Sequence, residues 1–436
     1  MKSLTLTIGF VLVLSQTFAQ TLSGKVFEEN GEKALIGVNL YWKNTSKGTV
    51  TDTTGFFQLP KISSTNKLVV SYVGYDPVIL TVPEDQNYLE LTLDQTKTLD
   101  EISIVFREKS TVLNTIDPIN SHTMTEKELF KAACCNLSES FETNPSVDVA
   151  FTDAVTGTKQ IEMLGLAGPY TQITVENMPM VRGLATVEGL TYLPGTWMNS
   201  IQVTKGSGSV LNGYESIAGQ INVEMRKPED KEILYANAYL NEGGRTEMNL
   251  VLNGKIDDEI STGLLLHGAI RPFAMDRNQD TFMDMPTGSN FIGINRWHYQ
   301  KRGFEAQIGI KGLYFDNDAG QFEEAVENPA QLYTVGMQTK RAEIWGKTGY
   351  VFPEKPYQSF GWQWSGTFQD QDYTFGNRFY NGNEKAFYSN LIFQSILGNT
   401  NHVYKLGFSY LYDEFDESLD GQDYDRRESV PGLFAE

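Results

Sequence analysis

The chain has 436 residues, enough for about two to four domains, and its 35 basic against 55 acidic residues leave a formal charge of −20. That balance argues against a nucleic-acid partner, whose phosphates require a basic face. The two cysteines are adjacent at Cys134 and Cys135 and supply no disulfide framework, and the four histidines are scattered singly.

Residues 1–19 read as a secretory leader. Lys2 is the basic start, Leu4–Leu14 the apolar core, and Thr17-Phe18-Ala19 a small-residue cleavage site before Gln20. The apolar core is too short to cross a bilayer, and no later run of about 18 apolar residues follows. Export is therefore expected, to the periplasm, the outer membrane or the medium.

Residues 21–95 predict a small β domain. LSGKVF, GVNLYW, GFFQL, KLVVSYVGY and YLELTL are short strands separated by Gly, Asn, Pro and Ser. Leu22-Ser23-Gly24-Lys25-Val26, Gly37-Val38, Thr51-Asp52-Thr53-Thr54-Gly55-Phe56-Phe57 and Val73-Gly74-Tyr75 resemble the carboxypeptidase regulatory-like domain, a transthyretin-like sandwich. The resemblance implies no peptidase: the chain has no His-x-x-Glu zinc pair and no Gly-x-Ser-x-Gly elbow.

Residues 99–105 follow a Thr/Lys/Asp connector. Asp100, Glu101, Ile102, Ser103, Ile104 and Val105 resemble a TonB box, the extended peptide through which an outer-membrane receptor engages TonB. A β-branched segment beside a linker can add as a strand to a partner's sheet edge, although an ordinary linker strand reads the same way.

Residues 107–228 predict a mixed α/β domain with a short helix over Thr125–Cys134, capped by Thr125 and closed by Glu128. The stretch Ile201-Gln202-Val203-Thr204-Lys205-Gly206, with Asn212-Gly213 and Ile217-Ala218-Gly219-Gln220-Ile221-Asn222-Val223, is similar to the end of a TonB-dependent receptor plug. Three departures stand out: Ala218 where glycine is usual, Leu164 where arginine is common, and Glu176-Asn177 in place of Asp-Gly.

From residue 233 to 436 apolar and polar residues alternate. Leu234, Ala236, Ala238 and Leu240 oppose Tyr235, Asn237 and Tyr239. Likewise Phe304, Ala306, Ile308 and Ile310 oppose Glu305, Gln307 and Lys311, and Phe360, Trp362, Trp364 and Phe368 oppose Gln363, Ser365, Thr367 and Gln369. Side chains of a strand reverse at every residue, so each strand has one apolar and one polar face, as in a transmembrane β-barrel. The strands fall near 233–241, 245–255, 260–271, 291–299, 304–315, 341–352, 357–369, 384–397 and 402–412. Long loops are expected at 272–290 and 316–340 and an acidic tail at 413–425. Plugged transporters close with about 22 strands, so the resemblance implies the leading part of such a barrel and a C-terminally truncated receptor.

Three groups of candidate ligands remain. Asp276, Asn278, Asp280 and Asp284 hold positions one, three, five and nine of an EF-hand-like calcium loop, but Thr281 and Thr287 replace the glycine and glutamate. A solvated acidic loop is the competing reading. Cys134 and Cys135 are candidates for a soft metal, a vicinal disulfide or plain packing. Met163, Met178, Met180 and Met198 lie in plug segments placed to face a vestibule, where thioethers would select a soft metal such as copper(I); methionine also fills irregular cores.

The whole reads as a mainly β protein: a transthyretin-like sandwich, an α/β plug, then part of a 22-stranded antiparallel transmembrane β-barrel. The resemblance implies outer-membrane import of a scarce nutrient, such as a siderophore, copper or cobalamin. TonB and its inner-membrane motor would be the partners, and no residue would act in covalent catalysis. Two alternatives stay open: a glycan-importing receptor with a lipoprotein partner, and a secreted β-rich binding protein.

Overall fold

The computed structural model describes residues 21–93 except 29–32, 46, 63, 74, 76 and 84; residues 111–114, 121–129 and 136–141; and residues 147–436 except 326, 329 and 330. The leader at 1–19, the 99–105 segment and Cys134–Cys135 lie outside the described residues. One compact unit holds the N-terminal domain, and a second holds the plug and the strand sheet.

The N-terminal unit comprises β1 (Thr21–Glu28), β2 (Asn39–Trp42), β3 (Gly48–Val50), β4 (Phe56–Pro60), β5 (Lys67–Ser71), β6 (Val78–Thr81) and β7 (Tyr88–Leu93). They form two sheets, ordered β4-β1-β7 and β3-β2-β5-β6. Alternation buries Leu22 and Val26 of β1 with Phe57 and Leu59 of β4, Leu40 and Trp42 of β2, and Leu68 and Val70 of β5. Each such side chain contributes about 1.5–3 kcal/mol of burial. The Trp42 indole N–H donates to the Pro60 carbonyl at 2.9 Å and so ties the two sheets. Asp52 shapes the turn before β4 by accepting the N–H groups of Thr54 (2.8 Å) and Phe56 (3.0 Å). Gly55 sits there at φ 73°, where a Cβ would lie 2.8 Å from the Val26 carbonyl oxygen, so no side chain fits.

The plug holds β8 (Thr111–Asn114), β9 (Ser121–Thr125), α1 (Glu126–Leu129), β10 (Asp148–Phe151), β11 (Lys159–Glu162), β12 (Thr171–Val175), β13 (Met178–Pro179), β14 (Met198–Lys205) and β15 (Gly219–Met225). Six of its strands form one sheet, β13-β12-β15-β14-β9-β8, and β10 pairs with β11. Ile201, Val203, Ile221 and Val223 are fully buried at its centre. The helix expected over Thr125–Cys134 is, among the described residues, the single turn of α1, and Thr125 ends β9 rather than standing free as a cap. Turn geometry elsewhere is supplied by short 3₁₀ segments such as Gly183–Thr186, Gly189–Thr191 and Gly195–Trp197.

The third region contains β16 (Leu234–Leu240), β17 (Thr246–Lys255), β18 (Ile260–Arg271), β19 (Thr287–Lys301), β20 (Phe304–Gly320), β21 (Thr334–Val351), β22 (Ser359–Phe375), β23 (Arg378–Leu397), β24 (Asn399–Leu419), β25 (Gln422–Asp423) and β26 (Arg426–Ala435). Neighbours in sequence are neighbours in the sheet, and β26 returns onto β24. The apolar faces named from alternation point outward: Leu234 is 60% exposed, Ile310 50% and Phe368 44%. The polar faces point inward, with Arg296, Lys311, Gln369 and Glu384 all buried. A soluble sheet does the reverse. An inside-out pattern of this kind suits a wall between lipid and a polar lumen. Among the described residues no helix is long and apolar enough to cross a membrane.

Two sequence expectations need correction. The strands run past the apolar band. β20 and β21 take up both ends of the loop expected at 316–340, and β22 and β23 extend through 370–383, outside the predicted strand bounds, to meet at a tight turn at Gly376-Asn377. The acidic tail at 413–425 is no tail: β24 runs through it to Leu419, and β26 pairs back from Phe415↔Arg426 to Leu406↔Ala435. The Arg426 guanidinium lies 3.9 Å from the Phe415 ring centroid and pairs with Glu417, which offsets part of the acidic charge.

Candidate functional site

The plug sheet and the inner face of the wall share one core. Trp197, Ile201 and Val203 of the plug belong to the same buried cluster as Val251, Leu265, Ile292, Phe315 and Trp345 of the wall. Over this apolar contact lie two ionic fastenings, one near each end of the strands.

The first centres on Glu176. Glu176 and Asn177 form a two-residue turn between β12 and β13, with φ of 52° and 63°. Two left-handed residues match the twist of a tight hairpin, a geometry that usually draws Asn, Asp or Gly. Asn177 N–H donates to the Asn222 side chain at 2.7 Å, which holds the turn. The Glu176 side chain is thereby driven into the wall, fully buried. Its oxygens meet Arg296 of β19 at 2.8 and 3.2 Å, Lys347 of β21 at 3.1 Å and Lys227 beyond β15 at 3.0 Å. Burial raises a carboxyl's pKa, but these three cations override it and hold Glu176 far below the usual carboxylate range. Arg296 is itself framed by the Arg226 carbonyl (3.2 Å), the Gln307 amide oxygen (3.0 Å) and the Trp345 ring, 5.1 Å away.

That Trp345 ring lies over Gly309, where an added Cβ would come within 2.4 Å of the indole. Gly309→Ala is expected to push the indole off Arg296 and lower stability by about 1–3 kcal/mol. The thermal midpoint of the purified receptor measures this, and an unchanged midpoint means Trp345 has no supporting role.

The second fastening is the plug segment 182–188. Arg182 Nη1 contacts both carboxylate oxygens of Asp413 of β24 (2.8 and 2.7 Å), and its Nη2 reaches Glu215 at 3.2 Å. Leu184 N–H donates to Glu384 of β23 at 3.0 Å, and its carbonyl accepts from Gln371 of β22 at 3.1 Å. Glu188 accepts the hydroxyls of Tyr373 (2.6 Å) and Thr339 (2.9 Å). Four wall strands thus hold one loop.

Two cavities meet at this loop. One of about 220 Å³ is bordered by Glu188, His267, Asn290, Phe315 and Met337. The other, of about 600 Å³, is bordered by Gln160, Tyr170, Arg182, Thr186 and Tyr214. Thr158, Lys159, Val187 and Leu190 border both. Tyr170 and Tyr214 are exposed, so the larger cavity offers ring faces beside polar groups. Sequence reasoning missed both fastenings, because their wall partners lie 120 to 231 residues away.

The sequence candidates lie elsewhere. Met163, Met178, Met180 and Met198 are between 1% and 7% exposed and belong to the plug core; the expected vestibule exposure is not what the fold provides. Asp276, Asn278, Asp280 and Asp284 do share one curled loop, and all four accept backbone N–H groups: Asp276 from Thr281 (2.9 Å), Asn278 from Asp280 (3.2 Å), Asp280 from Phe282 (2.9 Å) and Asp284 from Arg277 (3.0 Å). Among the described residues no three or more His, Cys, Asp or Glu side chains form a group that could hold a metal ion.

A plug fastened inside a strand wall with an apolar outer face defines the plugged outer-membrane receptors as a class. The comparisons with known proteins agree. Residues 22–104 match the CarboxypepD_reg-like domain and residues 115–220 the TonB-dependent receptor plug domain. Through these two domains the chain is similar to the TonB-dependent receptors. It is 36% identical over 106 residues to the TonB-dependent receptor SusC of Bacteroides thetaiotaomicron, covering 24% of this chain and 10% of that protein. The ferripyoverdine receptor of the Pseudomonas aeruginosa outer membrane superposes with a TM-score of 0.59 at 11% identity, over 93% of this chain and 55% of that one. The alcaligin outer-membrane receptor of Bordetella pertussis gives 0.55 at 11%, over 73% and 52%. This chain therefore spans about half the length of those solved receptors.

Proposed function

We propose that this chain forms the plug and leading wall of a TonB-dependent importer of a metal chelate. The observation that carries the reading is the doubly fastened plug. Breaking both an apolar core and buried ion pairs requires work, and an outer membrane holds no nucleotide supply. A mechanical pull delivered through residues 100–105 would provide that work, with cargo held first in the cavities beside 182–188. The Tyr170 and Tyr214 rings and the Gln160 and Gln172 amides share the larger cavity with Lys159, Arg182 and Glu215, a mixed lining that fits a chelate of low net charge. It also fits a glycan, which keeps that cargo as the second reading.

The test uses the intact receptor in its own cells. Deleting residues 100–105 is expected to abolish uptake of one nutrient under iron, copper or cobalamin limitation while leaving its binding at the cell surface intact. Uptake that survives the deletion overturns the energised mechanism. A growth defect confined to a glycan carbon source selects the second cargo.

A further inference from the structure

Among the described residues Glu188 is a buried carboxyl with no ion-pair partner. It is 8% exposed. Its side chain takes only two contacts among the described residues, the hydroxyls of Tyr373 and Thr339, both on Oε2. The charged and titratable groups around it have other engagements. Among those that border the same cavity, Arg245 pairs with Glu139 and Glu247, His267 bonds Asn249 and Asn290, and Lys159 lies over the Phe151 ring. Arg341 of β21 is turned to Glu343 and Gln369. Glu384 of β23 accepts Leu184 N–H. Arg182 is held by Asp413 and Glu215. Tyr192 of the plug accepts from Gln369. An unpaired carboxylate in such a place is costly, whereas a neutral carboxylic acid is not.

We propose that Glu188 is a proton-linked latch: it seats the plug segment on β21 and β22 as the neutral acid and ionises when the segment lifts into water. The proton balance is simple. Each opening releases one proton from the carboxyl to solvent, and each reseating takes one back. The reading goes beyond import, since it concerns local opening of the plug and needs neither TonB nor cargo.

Burial pushes the Glu188 carboxyl up, and the Tyr373 and Thr339 hydroxyls oppose that only in part. The sign follows by linkage. The seated state binds the proton more tightly than the open state, so the latch is at full strength below the ordinary carboxylate range. It is lost as pH rises through the seated value. Between those limits the opening equilibrium grows by up to about tenfold per pH unit.

Hydrogen exchange on the full-length receptor reads this directly, with protection at residues 184–193 corrected for intrinsic exchange rates. Wild-type protection is expected to fall with rising pH over that interval, while Glu188→Gln, which cannot ionise, stays at the low-pH level throughout. A flat wild-type profile, or a Glu188→Gln profile that still follows pH, overturns the proposal. So does a Glu188→Gln segment unprotected at every pH, since that would make the carboxylate the holding form. Tyr373→Phe gives an independent arm if the first variant does not assemble. Removing a hydroxyl that favours the ionised form should move the pH dependence upward, and an unmoved profile also counts against the latch.

Discussion

Replacing Glu176 by glutamine is expected to lower the stability of the plug's seat by about 3–5 kcal/mol, the usual effect of removing one partner from a buried ionic group. The three cations are unequal in what they lose. Arg296 keeps the Arg226 carbonyl and Gln307, and Lys227 keeps Glu224 at 2.9 Å. Lys347 of β21 has Glu176 as its ion-pair partner at 3.1 Å and loses it. The double change Glu176→Gln with Lys347→Met should therefore recover part of the loss, a coupling that a thermodynamic cycle isolates. The pH sense is opposite to that of Glu188. A carboxyl held below its ordinary range contributes stability that is present above the unfolded value and is lost only as pH falls through the depressed one. Mild acid should leave this fastening closed in the wild type. Exchange at Ile173, Ile201 and Ile221 in the intact receptor is the measurement. Equal protection in wild type and Glu176→Gln would show that the apolar core alone seats the plug.

How far the sequence anticipates this structure depends on the range of the signal. Alternation is local, and so the outward face of Ile308, Ile310 and Phe368 and the inward face of Lys311 and Gln369 were legible without coordinates. Strand ends were not. Beyond the apolar band both faces are polar, as with Asp370 and Asp372 on one face of β22 and Gln369 and Gln371 on the other, and the period that marks a strand disappears although the ladder continues. The same blindness turned the end of β24 into a tail. The four plug methionines illustrate the second limit, because a thioether facing a vestibule and one filling a core have the same sequence. Glu176 illustrates the third. Its departure from Asp-Gly was visible, but the left-handed turn emerges only from the backbone. Its partners at 296 and 347 sat among ordinary lumen-facing polar residues, with nothing local to single them out.

Arg182→Ala should free the loop at the other end of the plug and lower stability by about 3–5 kcal/mol, because Asp413 is fully buried and has no other partner among the described residues. Asp413→Asn should cost less, about 1–3 kcal/mol, since Arg182 retains Glu215 at 3.2 Å. The order of the two effects separates a fastening from simple charge balance. If net charge were what mattered in this acidic protein, removing an anion would help and removing a cation would hurt by similar amounts. A fastening predicts that both hurt, that the arginine change hurts more, and that the pair together costs less than the sum. The geometry adds a local consequence. Gly183 follows at φ 56°, and a Cβ there would sit 2.2 Å from the Glu384 carboxylate, so the chain can turn from Arg182 to the Leu184–Glu384 bond only at this residue. Losing Arg182 therefore loosens two wall contacts in succession, and limited proteolysis should cut between 182 and 188 in Arg182→Ala but spare Asp413→Asn. Cleavage of both variants at the same rate would place the grip on this loop in Leu184 and Glu188 instead. The arginine would then be a surface charge.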